Sequence, residues 1–373
     1  MRRLDHPFVP ALLGLVWAAV VAGAFVADTG DVSRFVGASP PWTDPAARPA
    51  GLAIVEPGYD GQFYYRLALD PFTDQPSDRG ITFDRPAYRQ QRILYPLLAW
   101  VASGGDERRA PLALVLVNVA AMFAVGWSGG AIARGAGRHA LWGALFASYP
   151  GFVVSLTNDL TEIVAAALGL AALGLLRSRR DALAVLTLAG AVLARETTAL
   201  LTIAPALARG AATPRRPGQW LPFALPVLLL LAWQAVLAAR WGAVPVGQSA
   251  EAFDPPFLGI FAAAWLNGER LAGAQAAVWA AAIGVVLGTI VLGARALRAA
   301  QLAHERIAWC GYLAVAPILE ANIWANGAVL RTLTELGMLT ALLALGARPG
   351  VRWALLGMQL GLSGLLVATR VPM

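Results

Sequence analysis

Long apolar runs, most of them about 17–24 residues, alternate with polar stretches along this chain, and that length crosses a hydrocarbon core of roughly 30 Å as an α-helix. The first run, residues 9–27, predicts an uncleaved membrane anchor, with a cleaved signal peptide as the alternative. The pattern predicts an all-α polytopic transmembrane bundle. The further runs lie near residues 110–133, 139–157, 160–176, 219–239, 274–294, 307–325, 332–346 and 351–369.

The apolar stretch of residues 182–208 carries Arg195 and Glu196 in its middle. About 27 residues are too few to cross a bilayer twice at full length, so we expect a hairpin of two short or tilted helices. The charged pair then lies at or near the tip of this hairpin. With the hairpin included, the sequence predicts about eleven helices.

The arginines predict the orientation of the bundle. All 29 basic residues of the chain are arginine, and every second loop between the apolar runs is rich in them. The positive-inside rule explains this asymmetry, and the net charge of +7, better than nucleic-acid binding does. The rule places the N-terminus in the cytoplasm and the C-terminus outside.

The composition excludes several classes of protein. The chain of 373 residues is 58% hydrophobic and only 14% charged, whereas soluble proteins carry about 25% charged residues. A soluble enzyme, a nucleic-acid-binding domain and a disordered chain are therefore excluded. The single cysteine, Cys310, excludes a disulfide scaffold, and the three histidines are too far apart in sequence to form a zinc-binding helix.

Two of the predicted outside segments, residues 28–109 and 240–274, are long enough to hold a functional site. The first contains half of the acidic residues and a short apolar piece, residues 93–102, which predicts an interfacial or re-entrant helix. We therefore expect a single integral membrane domain with two long extracytoplasmic loops.

The first loop contains two polar clusters. In residues 58–70, Asp60 and Gly61 favour a turn, and Asp60 could act as a general base on a sugar hydroxyl or be an ordinary solvated acid. In residues 85–96, the arginines could hold a phosphate in a bidentate fork or anchor the loop to lipid headgroups.

A third cluster contains Asp159 and Glu162. Their spacing is typical of a capping box at the start of a helix, which explains Asp159 without a further role. Glu162 lies one turn into an apolar run, where an acid is costly unless it is paired or faces water. We therefore favour a functional role for Glu162.

The remaining two clusters are Arg195 with Glu196, and residues 320–335. Arg195 and Glu196 either neutralise each other or have a functional role within the membrane. In the second, Arg331 and Glu335 are spaced for an ion pair along one helix. The topology places all five clusters on the outer side, which suits a lipid-phosphate substrate that arrives laterally from the bilayer.

These residues resemble the GT-C superfamily of polytopic membrane glycosyltransferases. The similarity covers about the first 200 residues and is closest to GPI-mannosyltransferase-like members and to bacterial proteins of cell-surface glycopolymer formation. Tyr59 stands where the family often has tryptophan. Four segments carry the resemblance in order: residues 59–68, residues 92–98 (Arg-x-x-Tyr-Pro-x-Leu), residues 150–168 with Thr161-Glu162 opening a helix, and Ala194-Arg195.

The resemblance implies inverting transfer of a sugar from a polyprenyl-phosphate donor to a glycan or lipid acceptor at the outer face of a bacterial inner membrane. Asp60 matches the catalytic base of the family, and arginines would stabilise the leaving phosphate. Some members use a divalent cation, Mg²⁺ or Mn²⁺, which Glu162 or Asp159 could help to hold. The residues expected to bind substrate are Tyr59, Gln62, Tyr65, Arg66, Arg89, Arg92, Asp159, Glu162, Arg195, Glu196 and Arg331.

Two other functions stay open on the sequence. The first is a transporter or flippase for lipid-linked sugars, although transporters tend to show paired repeats and broken helices near mid-membrane. The second is a non-catalytic membrane scaffold for glycopolymer formation. The partners expected are the bilayer, the lipid-linked donor and the acceptor, with no nucleic acid.

Overall fold

The structure, a computed structural model, describes residues 4–369. Within this range the chain is all-helical apart from one two-stranded antiparallel hairpin, β1 (Ser77–Asp78) and β2 (Ile81–Thr82). The helices are α1 (Phe8–Val26), α2 (Gly61–Leu69), α3 (Pro86–Gln90), α4 (Leu94–Ser103), α5 (Ala110–Gly135), α6 (Ala144–Ala147), α7 (Gly151–Thr157), α8 (Glu162–Arg177), α9 (Asp181–Ala194), α10 (Ala199–Ala212), α11 (Ala224–Trp241), α12 (Leu258–Arg270), α13 (Gly273–Ala296), α14 (Ala303–Val315), α15 (Ala321–Ala325), α16 (Ala328–Thr332), α17 (Thr334–Gly346) and α18 (Pro349–Thr369).

Among the described residues, five helices are long and apolar enough to cross a membrane: α1, α5, α11, α13 and α18. A sixth span results if the bent pair of residues 140–147 and 151–157, which meet at 60°, is counted as one. The helical content and these spans fit a multi-pass membrane protein. The expected count of about eleven spans is not confirmed, because several predicted runs form helices of only 13 or 16 residues.

The expected hairpin over residues 182–208 is confirmed. Helix α9 ends at Ala194, α10 begins at Ala199, and the charged pair occupies the break between them. At the far ends, Arg209 of α10 donates to Asp181 of α9 over 2.7 Å from Nη2 to Oδ1. The two helices therefore run antiparallel, and their charged tip lies away from this ion pair.

Contacts at helix ends and in loops define the end of the bundle opposite to the hairpin tip, which we call the arginine-rich end. Arg177, at the end of α8, forms a bidentate ion pair with Glu305 of α14, with distances of 2.7 and 3.0 Å. Arg138 Nε donates to the carbonyl oxygen of Leu345 over 3.0 Å. Because Arg177 ends the helix that Glu162 begins, the acidic start of α8 lies at the other end of the bundle.

The first long loop packs as short helices rather than as open chain. The short helix expected over residues 93–102 is confirmed as α4. All nine residues of α2 are buried. Gly61 permits this position, because a Cβ atom there would lie 2.4 Å from the carbonyl oxygen of Asn158 and 2.7 Å from that of Val36. The close approach places Asp60 beside the turn between α7 and α8.

The second long loop, residues 240–274, contains helix α12, which packs against α15. Asn267 of α12 donates from Nδ2 to the carbonyl oxygen of Ala325 over 2.7 Å. A single antiparallel bridge joins Phe253 to Leu319. The loop is thereby attached to the segment that leads to α16.

Candidate functional site

Asp60 lies immediately before α2, and each of its carboxylate oxygens faces an arginine. Oδ1 is 3.0 Å from Nη1 of Arg89 in α3, and Oδ2 is 3.1 Å from Nη2 of Arg331 in α16. The Asp60 side chain keeps 20% of its surface exposed. The first loop and the C-terminal half of the chain therefore meet at a carboxylate that solvent can reach.

Each of these two arginines has a second acidic partner. Arg89 forms a bidentate ion pair with Asp84, with distances of 2.8 and 2.6 Å. Arg331 donates from Nη1 to Oε1 of Glu162 over 3.2 Å and from Nε to the hydroxyl oxygen of Tyr59 over 3.1 Å. Arg331 thus joins residues of the first, third and fifth predicted clusters.

Arg92 connects the hairpin tip to the first loop. Its Nε and Nη2 atoms donate to the carboxylate of Glu196 over 2.8 and 2.6 Å. Its guanidinium also donates to the hydroxyl oxygens of Tyr64 and Tyr88, over 3.3 and 2.9 Å. Arg195 and Glu196 therefore do not simply neutralise each other, since Glu196 is paired to another segment.

Arg195 pairs with Glu335 instead. Its Nη1 atom is 3.1 and 3.0 Å from the two carboxylate oxygens of Glu335, and its Nε atom is 4.0 Å from Oε1 of Glu162. The expected pair of Arg331 and Glu335 along one helix is wrong. Helix α16 ends at Thr332 and α17 begins at Thr334, so the i to i+4 geometry is interrupted between them.

These contacts link Asp84, Arg89, Asp60, Arg331, Glu162, Arg195 and Glu335 in one chain of ion pairs. The pair of Arg92 and Glu196 lies beside this chain, since the Tyr88 ring contacts the guanidiniums of both Arg89 and Arg92. We call these nine residues the charge network; its four guanidinium groups and five carboxylates leave one excess negative charge when all are ionised. Burial raises the pKa of Asp60, but the guanidiniums of Arg89 and Arg331 outweigh it and hold that pKa well below its ordinary value. Asp60 is therefore ionised at neutral pH. The charge network consists of Asp60, Asp84, Arg89, Arg92, Glu162, Arg195, Glu196, Arg331 and Glu335.

Two cavities meet beside the network at Glu56, Pro57 and Tyr59. The polar cavity, about 560 Å³, has Asp60, Asp84 and Arg89 in its wall. The groove that we call the apolar groove, about 240 Å³, is lined on one side by apolar side chains of α1, α7 and α18, which include Val21, Val154 and Leu366, and it also has Arg34 and Glu56 in its wall. A polar headgroup and an apolar chain could therefore occupy neighbouring spaces on either side of Tyr59.

Gln62 faces the first loop, although it also lines the polar cavity. Its Oε1 atom accepts hydrogen bonds from the hydroxyl of Thr43 over 2.8 Å and from the amide of Ser39 over 3.3 Å. These bonds attach α2 to the segment before it. The Oε1 atom of Gln62 therefore already accepts two hydrogen bonds from the protein.

Tyr65 and Arg66 lie outside the charge network. The Tyr65 hydroxyl donates to the carbonyl oxygen of Glu107 over 3.0 Å. Arg66 donates from Nη1 to the carbonyl oxygen of Ile81 over 2.8 Å and from Nη2 to that of Gln75 over 2.7 Å. Both side chains hold the loop around α2, and that placement fits a structural role.

Asp159 is buried apart from the network, and the expected capping box is wrong. Thr161 is the N-cap of α8 and forms no side-chain capping bond. Asp159 instead has a positive φ of 48°, and its Oδ1 atom is 3.4 Å from the hydroxyl of Tyr95. Burial raises the pKa of Asp159 well above its ordinary value, which favours the neutral form of its carboxyl group.

Asp159 and Glu162 do not fit a shared divalent cation. Glu162 faces two guanidinium groups, which already supply the positive charge, and Asp159 faces Tyr95. Nowhere in residues 4–369 do three His, Cys, Asp or Glu side chains form a group that could hold a metal ion.

Sequence reasoning did not select Asp84 and Glu335 as site residues. Asp84 directly precedes the arginine-rich segment, and Glu335 lies in an apolar run, where an unexplained acid signals a partner.

Comparisons with protein-family models, with curated proteins and with solved structures gave no match. The charge network and its two cavities are the observations on which a function can be proposed.

Proposed function

We propose that this chain is a membrane glycosyltransferase of the GT-C type, which moves a sugar from a polyprenyl-phosphate donor to a glycan or lipid acceptor. The observation that supports the proposal best is the position of Asp60. Its ionised carboxylate lies between two guanidinium groups, in the wall of the polar cavity and next to the apolar groove. A base, phosphate-binding groups and space for a lipid chain are the components that this transfer requires.

In the proposed reaction, the Asp60 carboxylate accepts the proton of the acceptor hydroxyl while that oxygen attacks the anomeric carbon of the donor sugar. The bond from this carbon to the phosphate oxygen breaks, and its electron pair leaves on the lipid phosphate. Attack from the face opposite the phosphate inverts the configuration. Arg331 or Arg89 stabilises the charge that develops on the leaving phosphate.

The second partners of the two arginines couple donor binding to the basicity of Asp60. A carboxylate between two guanidiniums holds a proton only weakly. Arg89 stays paired with Asp84, and Arg331 with Glu162, when either guanidinium turns from Asp60 toward a phosphate. The basicity of Asp60 therefore rises only when the donor is present.

The apolar groove supports a lipid-linked donor over a soluble one. Helices α1 and α18, which line it, are two of the helices long enough to span a membrane. A polyprenyl chain in this groove would bring its phosphate toward Tyr59 and Arg331. The proposal includes about eleven membrane crossings, a cytoplasmic N-terminus and a site at the outer face of a bacterial inner membrane, as the arginine distribution predicts.

The test is transfer of label in proteoliposomes supplied with a panel of radiolabelled polyprenyl-phosphate hexoses and acceptors. We compare the wild type with Asp60→Asn and with Asp74→Asn, which makes the same change at an exposed acid of the first loop. We expect Asp60→Asn to lower transfer by about 10²-fold or more and Asp74→Asn to leave it unchanged. Equal transfer in Asp60→Asn contradicts the assigned base. Movement of intact donor between leaflets without product contradicts the enzyme and supports a flippase.

A further inference from the structure

A third cavity lies at the arginine-rich end, away from the charge network. It has a volume of about 550 Å³, lies between α5 and α8, and reaches the turn after α8 and the start of α14. Its walls are apolar and its rim is polar. The wall includes Trp127, Ile132, Leu170 and Leu175, and the rim includes Arg177, Ser178, Arg180 and Gln301.

Small residues open the space between the two helices. Ser128 and Ala131 of α5 face the cavity together with Ala171 and Gly174 of α8. At Gly135, the last residue of α5, an added Cβ atom would meet no atom within 4 Å. An elongated apolar chain therefore has room to lie along the helices.

The rim carries one fixed arginine and one that is available. Arg177 is held by the buried carboxylate of Glu305 and donates to Oε1 of Gln301 over 3.3 Å. Arg180 is exposed, and its side chain forms no hydrogen bond or ion pair with any residue in the described range 4–369. The guanidinium of Arg180 is thus free to bind an anion at the mouth of the cavity.

The backbone at the rim also favours an anion. Arg180 and Leu302 are the N-cap residues of α9 and α14, whose first-turn N–H groups carry partial positive charge. The carbonyl groups at the end of α8 are already bonded, since those of Gly174 and Leu175 accept from the amides of Ser178 and Arg180. The first turns of α9 and α14 also carry Asp181 and Glu305, but these carboxylates are paired with Arg209 and Arg177. The mouth of the cavity therefore keeps the positive charge of Arg180.

We propose that this cavity binds an anionic glycerophospholipid, with its phosphate headgroup at Arg180 and an acyl chain between α5 and α8. The apolar walls favour a lipid over a free phosphate, and the positive rim favours an anionic headgroup over a zwitterionic one. The site is separate from the proposed glycosyl transfer, and neither depends on the other.

The test is lipid binding to the full-length protein in nonionic detergent, measured by native mass spectrometry and by the unfolding temperature. The probes are phosphatidylglycerol, phosphatidylcholine and inorganic phosphate. Arg180→Gln is compared with Arg179→Gln, which removes the same charge one position away from a side chain that does not line the cavity. Ala171→Leu fills the space between the helices and tests the acyl chain separately.

We expect the wild type to prefer phosphatidylglycerol, and Arg180→Gln to weaken its binding by about fivefold, the effect of one charge near a headgroup. Phosphatidylcholine binding should not change. Arg179→Gln should bind like the wild type, and Ala171→Leu should lose lipid while staying folded. Absence of a preference, an equal loss in Arg179→Gln, or an equal temperature shift with inorganic phosphate would overturn the proposal.

Discussion

The Nη2 atom of Arg331 lies 3.1 Å from the Oδ2 atom of Asp60, although the two residues are 271 positions apart in the chain. The same guanidinium contacts Glu162, at the start of α8. One side chain from the C-terminal half thus fixes two carboxylates of the N-terminal half. Arg331 is therefore the residue whose replacement should affect both the stability and the chemistry of the site.

Arg331→Gln should destabilise the protein by about 1–3 kcal/mol, because the fully buried carboxylate of Glu162 loses its nearer partner and keeps only Arg195, 4.0 Å away. The measurement is the free energy of unfolding in detergent, with the exposed Arg108→Gln as the control. The double variant Arg331→Gln/Glu162→Gln should recover part of the loss, since the buried carboxylate that lost its nearer partner is then also removed. A stability equal to that of the wild type would mean that the pair does not hold the site together.

The ion pair between Arg195 and Glu335 should behave as a coupled unit, because both side chains are almost completely buried. We expect the losses of unfolding free energy in Arg195→Met and in Glu335→Gln to add up to more than the loss in the double variant. A double-mutant cycle of unfolding free energies should give a coupling of about 1–3 kcal/mol. Additive effects would show that the two side chains stabilise the fold independently.

Gly61→Ala should displace the start of α2 and with it Asp60. The added Cβ atom meets backbone carbonyl oxygens of Asn158 and Val36, which cannot turn aside as a flexible side chain can. We expect a loss of about 1–3 kcal/mol in unfolding free energy together with a loss of transfer. Gly23→Ala, in α1, is the matched control, since its added Cβ atom meets nothing within 4 Å. Equal behaviour of the two variants would contradict this packing role.

Glu196 should make stability dependent on acid pH. Burial raises the pKa of its carboxyl, but the Arg92 guanidinium outweighs burial and lowers that pKa from 4.5 to about 2. A folded-state pKa below the unfolded one stabilises the protein fully above about pH 4.5, and this stabilisation is lost as the pH falls toward 2. We expect the unfolding temperature of the wild type to fall through this window and that of Glu196→Gln to fall less. Identical profiles would exclude Glu196 as a source of the dependence.

The helices and the grouping of the site could be predicted from sequence because both follow from local patterns. Apolar length predicted α1, α5 and the hairpin around Arg195, and the alternation of arginine-rich loops predicted that Asp60, Glu162 and Arg331 share one end of the bundle. The number of membrane crossings does not follow from apolar length, since an apolar run can break into shorter helices without any change in its composition.

The pairing within the site could not be predicted, because it depends on packing between distant segments. Spacing favoured Arg331 with Glu335, but a spacing rule applies only along a continuous helix, and the chain breaks at Leu333. Spacing likewise favoured a cap at Asp159, whereas the positive φ of this residue turns it toward Tyr95. The fold decides which side chains pair, whereas the sequence shows only which residue types are present.

The hairpin tip has a consequence for biosynthesis. Arg195 and Glu162 are made long before Arg331 and Glu335, the residues that neutralise them in the folded protein. A nascent chain that has not passed residue 335 must therefore keep these charges hydrated or bound to the insertion machinery. The start of α8 and the break between α9 and α10 therefore reach their final charge pairing only after the chain has passed residue 335.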